Sequence, residues 1–172
     1  MGATAMQAST QEAVREAAEE LLPTTAQLGR RMAEHISSLI PELAGIDDDE
    51  LRAELGASTE ANIAQILRML AGGARVEDIV VPHEAMNFLR GNVRRGLPLP
   101  VLLRSYHLGH AWLWEQWSEV LQRRVHDSGE LAAGQDESSA FMFAYVDRIS
   151  GTLVEEFGTE RERVVRSAEQ RG

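Results

Sequence analysis

The 172-residue chain contains neither cysteine nor lysine. Without cysteine it can form no disulfide framework and no thiolate metal site. The 17 basic residues are all arginine, which we interpret as a trace of a GC-rich genome rather than as chemistry. A chain without disulfides fits a reducing compartment, so we expect a cytoplasmic protein.

Long apolar runs are also missing. No segment approaches the roughly 20 apolar residues of a membrane span, and the N-terminus lacks the charged-then-apolar order of a signal peptide. The formal net charge is −10. Because an acidic domain repels the phosphate backbone, we expect no binding of nucleic acid through this chain, and no membrane contact.

Strand patterns are scarce, and nearly every segment has the three-and-four spacing of amphipathic helices. The sequence therefore predicts an all-α, single-domain bundle of six or seven helices. We divide it into an N-terminal helix or extension over 1–22, a sensor-like bundle over 23–157 and a charged helical linker over 158–172. The linker has little to bury, so we expect it to leave the bundle as a connecting rod or dimer stalk, unless it is a frayed terminus.

Several helix starts are marked by an N-cap oxygen followed three residues later by Glu or Gln. These pairs are Ser9 with Glu12, Thr24 with Gln27, and Asp47 with Glu50. Asp136 is predicted to cap the last helix.

The segment 97–117, LPLPVLLRSYHLGHAWLWEQW, holds all three tryptophans and two of the five histidines. It is apolar on most sides, so we predict that residues 100–125 form a helix at the centre of the bundle. Gly109 lies in its middle, where glycine weakens a helix by about 1 kcal/mol relative to alanine. We expect a close approach of a neighbouring group there.

Polar atoms lie among the aromatic rings of this helix, as they do in ligand pockets. The alternative is an aromatic stripe that only fills the core. The predicted ligand-binding residues are Tyr106, His110, Trp114, Trp117, Arg104 and His107. The ligand would be a small apolar or amphipathic molecule.

Catalytic and metal motifs are lacking. His107 and His110 are three residues apart, but no HExxH motif or well-phased carboxylate completes a zinc site. His110 could be an axial haem ligand, yet bulky tryptophans crowd its face. We expect no metal, no cofactor and no enzymatic activity. A local basic patch of Arg90, Arg94 and Arg95 is explained by the helix macrodipole or by docking of an acidic partner.

The run PLPVLLRSYHLGHAWLWEQW resembles a stretch in the N-terminal domain of PucR/CdaR-type bacterial transcriptional regulators, a domain similar to that of RsbR-type co-antagonists of stress signalling. The segments GARVEDIVVPHEAMNFLRGNVRRGLPL and FAYVDRISGTLVEEFGTERERVVRSAEQ fit the same pattern. The distinctive order is Gly96, Leu97 and Pro98 followed by Arg104, Tyr106, Gly109, His110 and Trp114.

This resemblance covers about residues 20–170. It implies a non-enzymatic signal-input and dimerisation module, with a globin-like helical fold that holds no haem. We therefore expect a homodimer that senses a ligand or a partner. The regulators continue into a middle region and a helix-turn-helix beyond the point that corresponds to Gly172, so the resemblance implies no DNA binding by these residues. A ligandless interaction module of a stress-signalling scaffold is the alternative.

Overall fold

The computed structural model describes residues 2–45 and 47–172, which form seven α-helices and contain no strand. The predicted all-α bundle of six or seven helices is thus confirmed. Short 3-10 turns lie at Leu22–Thr24 and Val76–Asp78. The helices are α1 (Gly2–Leu21), α2 (Thr25–Leu39), the single-turn α3 (Pro41–Ala44), α4 (Asp49–Gly72), α5 (His83–Arg94), α6 (Leu99–Arg124) and α7 (Ser128–Arg171).

The helix at the centre of the bundle is α4, and the prediction that α6 lies there is wrong. Helix α4 packs against α1, α2 and α5 and also meets α7. Helix α6 packs against α1, α2 and α7, and leaves Arg104, His107 and Ala111 exposed on its outer face. Small residues explain the difference. A Cβ on Gly29 would lie 2.9 Å from Glu60, so α2 and α4 approach more closely than larger side chains allow.

The helix starts agree only partly with the predicted caps. Asp48, not Asp47, caps α4 by accepting a hydrogen bond from the Leu51 amide at 3.0 Å. Thr24 precedes α2 as predicted, but its hydroxyl donates to the carbonyl of Leu21 instead of capping the helix. Three consecutive aspartates occupy 47–49, and the local pattern alone does not distinguish them.

The last helix begins earlier than predicted. Asp127 caps α7 by accepting from the Glu130 amide at 2.9 Å, and Asp136 lies well inside the helix. Ser9 likewise lies within α1 rather than at its start. Helix α7 is long because no proline interrupts it, and it runs for 44 residues.

The arginines near the end of α5 are ion-paired within the chain, and whether they also dock an acidic partner stays a prediction. Arg95 donates to Asp48 at 2.6 Å and to Glu54 at 3.1 Å. Arg94 pairs with the same Glu54, and Arg90 lies 3.9 Å from Glu160 of α7. The Arg95 guanidinium thus joins the end of α5 to the first turns of α4.

We expect Gly29→Ala to destabilise the protein, because a Cβ at this position would lie 2.9 Å from Cα of Glu60, a backbone atom of α4 that cannot turn aside as the end of a side chain can. Forcing α2 and α4 apart should outweigh the helix gain of about 1 kcal/mol from alanine. Chemical denaturation measures the change. The matched control is Gly56→Ala in α4, where a Cβ meets nothing within 4 Å and alanine should stabilise. Equal gains in both variants would contradict the packing described here.

Candidate functional site

A cavity of about 50 Å³ lies inside the bundle, where α4 faces α6 and where α2, α5 and α7 close the remaining sides. Its wall is mainly aliphatic and aromatic, with a few hydroxyl and amide groups. The lining residues are Met32, Ile36, Leu55, Ser58, Thr59, Asn62, Ile63, Ile66, Phe88, Ser105, Tyr106, Gly109, His110, Leu113, Tyr145 and Val146.

The cavity comes closest to the surface between α6 and α7. All of its lining residues are buried except Tyr106, His110 and Val146, which are partly exposed. Beside them the ring of Phe143 meets the His110 ring edge-on, with centroids 4.8 Å apart, and Phe143 is 65% exposed. Access from solvent would therefore pass between these two helices.

A chain of hydrogen bonds forms the polar side of the cavity. The Tyr145 hydroxyl donates to Asn62 Oδ1 at 2.7 Å, and Asn62 Nδ2 donates to the Tyr106 hydroxyl at 3.2 Å. The same Nδ2 also donates to the Ser58 carbonyl at 2.9 Å. One amide of α4 thereby links α6 to α7 across the core.

This hydrogen-bond chain continues to a surface loop. Gln65 Nε2 donates to the Tyr145 hydroxyl and to the Val80 carbonyl, both at 2.8 Å, and the Val80 amide donates back to Gln65 Oε1 at 3.2 Å. Arg148 of α7 donates to the carbonyls of Ile79 and Glu77. The segment before α5 is thus held by side chains of α4 and α7.

The cavity is uncharged near neutral pH. Burial raises the pKa of Tyr106, although hydrogen bonds to Asn62 and Ser58 partly oppose it, and burial likewise raises the pKa of Tyr145. Burial, and to a lesser degree nearby His107, lowers the pKa of His110. No Asp, Glu or Arg lines the cavity.

The structure does not bring the six predicted site residues together at one place. Tyr106 and His110 line the cavity, whereas the other four do not. Trp117 is 0% exposed, and its indole nitrogen has no hydrogen-bond partner among the described residues. Trp114 borders a shallow surface depression, and Arg104 and His107 are exposed. Whether any of them binds a ligand stays a prediction.

The sequence reasoning missed the polar residues of α4. Ser58 and Asn62 are four residues apart and lie among apolar neighbours of the same helix, so both belong to its buried side. A buried amide at such a position demands partners and so points to a polar network. The local pattern can therefore mark Asn62 as a buried polar residue, but it does not show that the partners are Tyr106 of α6 and Tyr145 of α7.

We also searched the described residues for groups that could bind a metal ion and for helices that could span a membrane. Within 2–45 and 47–172, no group of three or more acidic or histidine side chains is arranged to hold a metal ion. None of the helices in this part of the chain is both long and apolar enough to cross a membrane.

The fold and the cavity define an all-α domain with a small, polar-edged internal space and a long final helix. Residues 26–171 match the family model described as the N-terminal domain of the RsbT co-antagonist protein RsbRD, and the chain belongs to this family. This match confirms the resemblance to the RsbR-type domain, and it does not show the resemblance to PucR/CdaR-type regulators. No curated protein and no solved structure matches the chain.

We expect the two tyrosines to determine how stability responds to alkaline pH. Their folded pKa values are raised, so the neutral phenols stabilise the fold below about pH 10, and this stability falls as pH rises further. With no lysine or cysteine in the chain, no other side chain titrates between about pH 10 and 12.

Tyr145→Phe should therefore cost about 1–3 kcal/mol at pH 7, because Asn62 Oδ1 loses its donor, and it should flatten the alkaline decline. Replacing both tyrosines by phenylalanine should remove the decline. Urea denaturation at pH 7, 9, 10 and 11 measures both effects. An undiminished loss of stability above pH 10 in the double variant would contradict the assignment.

Proposed function

We propose that this chain is a non-enzymatic signal-input and dimerisation module of a bacterial stress-signalling regulator. Membership of the RsbRD N-terminal family supports the stress-signalling part of this proposal. A ligand or a partner would act at the cavity or at the α6–α7 surface, and α7 would transmit the change in packing. The uncharged cavity, which offers hydroxyl and amide groups but no paired carboxylates, supports a binding role rather than acid–base catalysis.

The observation that carries the proposal is the course of α7. Its residues Tyr145 and Val146 form part of the cavity wall, and Phe157 is the last buried residue along it. Val164 still packs on the core, and every residue from 165 onward is exposed. One continuous helix therefore joins the cavity to the surface, so a change in wall packing can move its far end.

Helix α7 also presents an apolar stripe for a second copy. Phe143, Val154 and Val165 are 65%, 44% and 50% exposed, and each follows the previous one by eleven residues. Eleven residues make about three helical turns, so the three side chains lie on one face over about 33 Å. Gly151 and Gly158 lie beside this face, and a Cβ at either position would meet nothing within 4 Å. The three side chains are about 16 Å apart and form no continuous patch, but their eleven-residue spacing keeps them on one face of α7. On this ground we propose that two copies associate through α7 as a homodimer.

The regulator that would contain this module is a separate question. The motif order around Tyr106 and His110 resembles PucR/CdaR-type transcriptional regulators, and a role ahead of a transcriptional output is our second candidate. The RsbRD family match favours the stress-signalling context.

Val154→Asp should convert the dimer into a monomer, because each protomer then contributes one carboxylate at the middle of the α7 stripe and the two charges repel each other. Size-exclusion chromatography with light scattering measures the mass. Val80→Asp is the matched control, since Val80 is 66% exposed but lies outside α7. A wild-type chain that remains monomeric at high concentration would contradict the dimer.

A change in the cavity should move the end of α7. The chain has no native cysteine, so Ser167→Cys gives one spin label per protomer, and pulsed EPR then measures one distance across the dimer. Adding Gly109→Ala should shift this distance, because a Cβ at Gly109 would lie 3.2 Å from Met32 Sδ in the cavity wall. Gly56→Ala is the control. An unchanged distance distribution in the Gly109 variant would count against transmission through α7.

A further inference from the structure

The size of the cavity limits what it can hold. An apolar cavity of about 150 Å³ holds benzene, and drug-sized ligands occupy pockets of about 300–1,000 Å³. The present cavity is about 50 Å³. By proportion to benzene it accommodates about two non-hydrogen atoms, and at about 10–15 Å³ for each water-sized group it accommodates about four. Extended lipids and porphyrins are far too large for it without a rearrangement of α6 or α7.

The chemistry of the wall narrows the class of ligand further. Ile36, Ile63 and Leu113 supply apolar surface, and the hydroxyls and amide of the Tyr106–Asn62–Tyr145 chain supply polar atoms on one side. These groups are neutral, and because the hydrogens of the Tyr145 hydroxyl and the Asn62 amide are already donated within the chain, they offer a ligand lone pairs that accept hydrogen bonds. The pKa of His110 at the rim is lowered, so it adds no positive charge near neutral pH.

We propose that this cavity binds a neutral molecule of two to four non-hydrogen atoms with one hydroxyl group, that is, a short-chain alcohol. The proposal rests on the proposed signal-input function and specifies the ligand class for it. The hydroxyl would donate to an oxygen of the Tyr106–Asn62–Tyr145 chain, and the carbon atoms would contact the aliphatic wall.

The position of the cavity near the surface supports this inference. Tyr106, His110 and Val146 are the partly exposed members of the wall, and all three lie on α6 and α7. A small solute can pass between them through side-chain motion, which exposed residues undergo in picoseconds to nanoseconds. Once inside, the ligand contacts Tyr145 and Val146 of α7 directly.

The test uses propan-2-ol as the probe and methyl-labelled protein for NMR. Titration should produce saturable shifts concentrated in the methyl groups that line the cavity, among them those of Met32, Ile36, Ile63, Leu113 and Val146. For four non-hydrogen atoms the Kd can be no tighter than about 50 µM, so millimolar titration is needed. Shifts that stay linear, or that spread over the whole core, would overturn the proposal.

Two glycine variants give matched controls. Gly109→Ala adds a methyl group beside Met32 and Ile36 and should weaken binding about tenfold or more, as one methyl group can in a tight pocket. Gly56→Ala, in α4 where a Cβ meets nothing within 4 Å, should leave the Kd unchanged. Alanine favours a helix in both, so loss of folding does not confound the comparison. Equal Kd values in the two variants would overturn the assignment to this cavity.

Tyr106→Phe tests the polar part of the proposal. It should weaken propan-2-ol binding about three- to tenfold, the usual effect of one hydrogen bond, and leave xenon binding unchanged. Hyperpolarised ¹²⁹Xe NMR measures the latter. Xenon binding without propan-2-ol binding would overturn the polar ligand class, and binding of neither probe would overturn the proposal that the cavity takes up a small molecule.

Failure of this inference and failure of the proposed function are distinguishable. If propan-2-ol binds with the expected mutant pattern but the spin-label distance at position 167 does not respond, the ligand site stands and signal transmission fails. If neither probe binds but Gly109→Ala still shifts that distance, the ligand class is wrong and the input function stands.

Discussion

The hydrogen bond from Tyr145 to Asn62 is the interaction on which the arrangement of the central helices depends. Both groups are buried, and a buried amide or phenol without a partner costs about 1–3 kcal/mol. Asn62 satisfies this requirement by joining α4 to Tyr145 of α7 and to Tyr106 of α6. A shift of either helix along its axis would leave at least one of these groups unpaired, so the network fixes the positions of α6 and α7 relative to α4.

The same network borders the cavity and accounts for its connections. Gly109 of α6 contributes to the open space, because it has no side chain where it faces Met32 and Ile36 of α2. Gln65 extends the network to Val80, and Tyr145 extends it to α7. Direct contacts therefore connect the inside of the bundle to the loop before α5 and to the long final helix α7.

Periodicity in the sequence predicted the all-α helical bundle, because amphipathic spacing is a local property. The long-range partners were not predictable in this way. Arg95 is bound by Asp48 and Glu54, more than forty residues earlier, and no local pattern shows that they meet. Tyr106 and His110 were predicted and do line the cavity, but Asn62 and Tyr145 were missed because their significance depends on which helices pack together.

The tryptophans show why a conspicuous sequence feature need not mark a site. Trp112 packs beneath Arg31 of α2, with the guanidinium 5.4 Å from the ring, and Trp117 is fully buried away from the cavity. These rings support the contacts of α6 with its neighbours, whereas Gly109 and Leu113 of the same helix face the cavity. Indole emission therefore reports on the packing of α6 and not directly on the cavity. A small neutral ligand can occupy the cavity without contacting any tryptophan, and only a movement of α6 would change the emission.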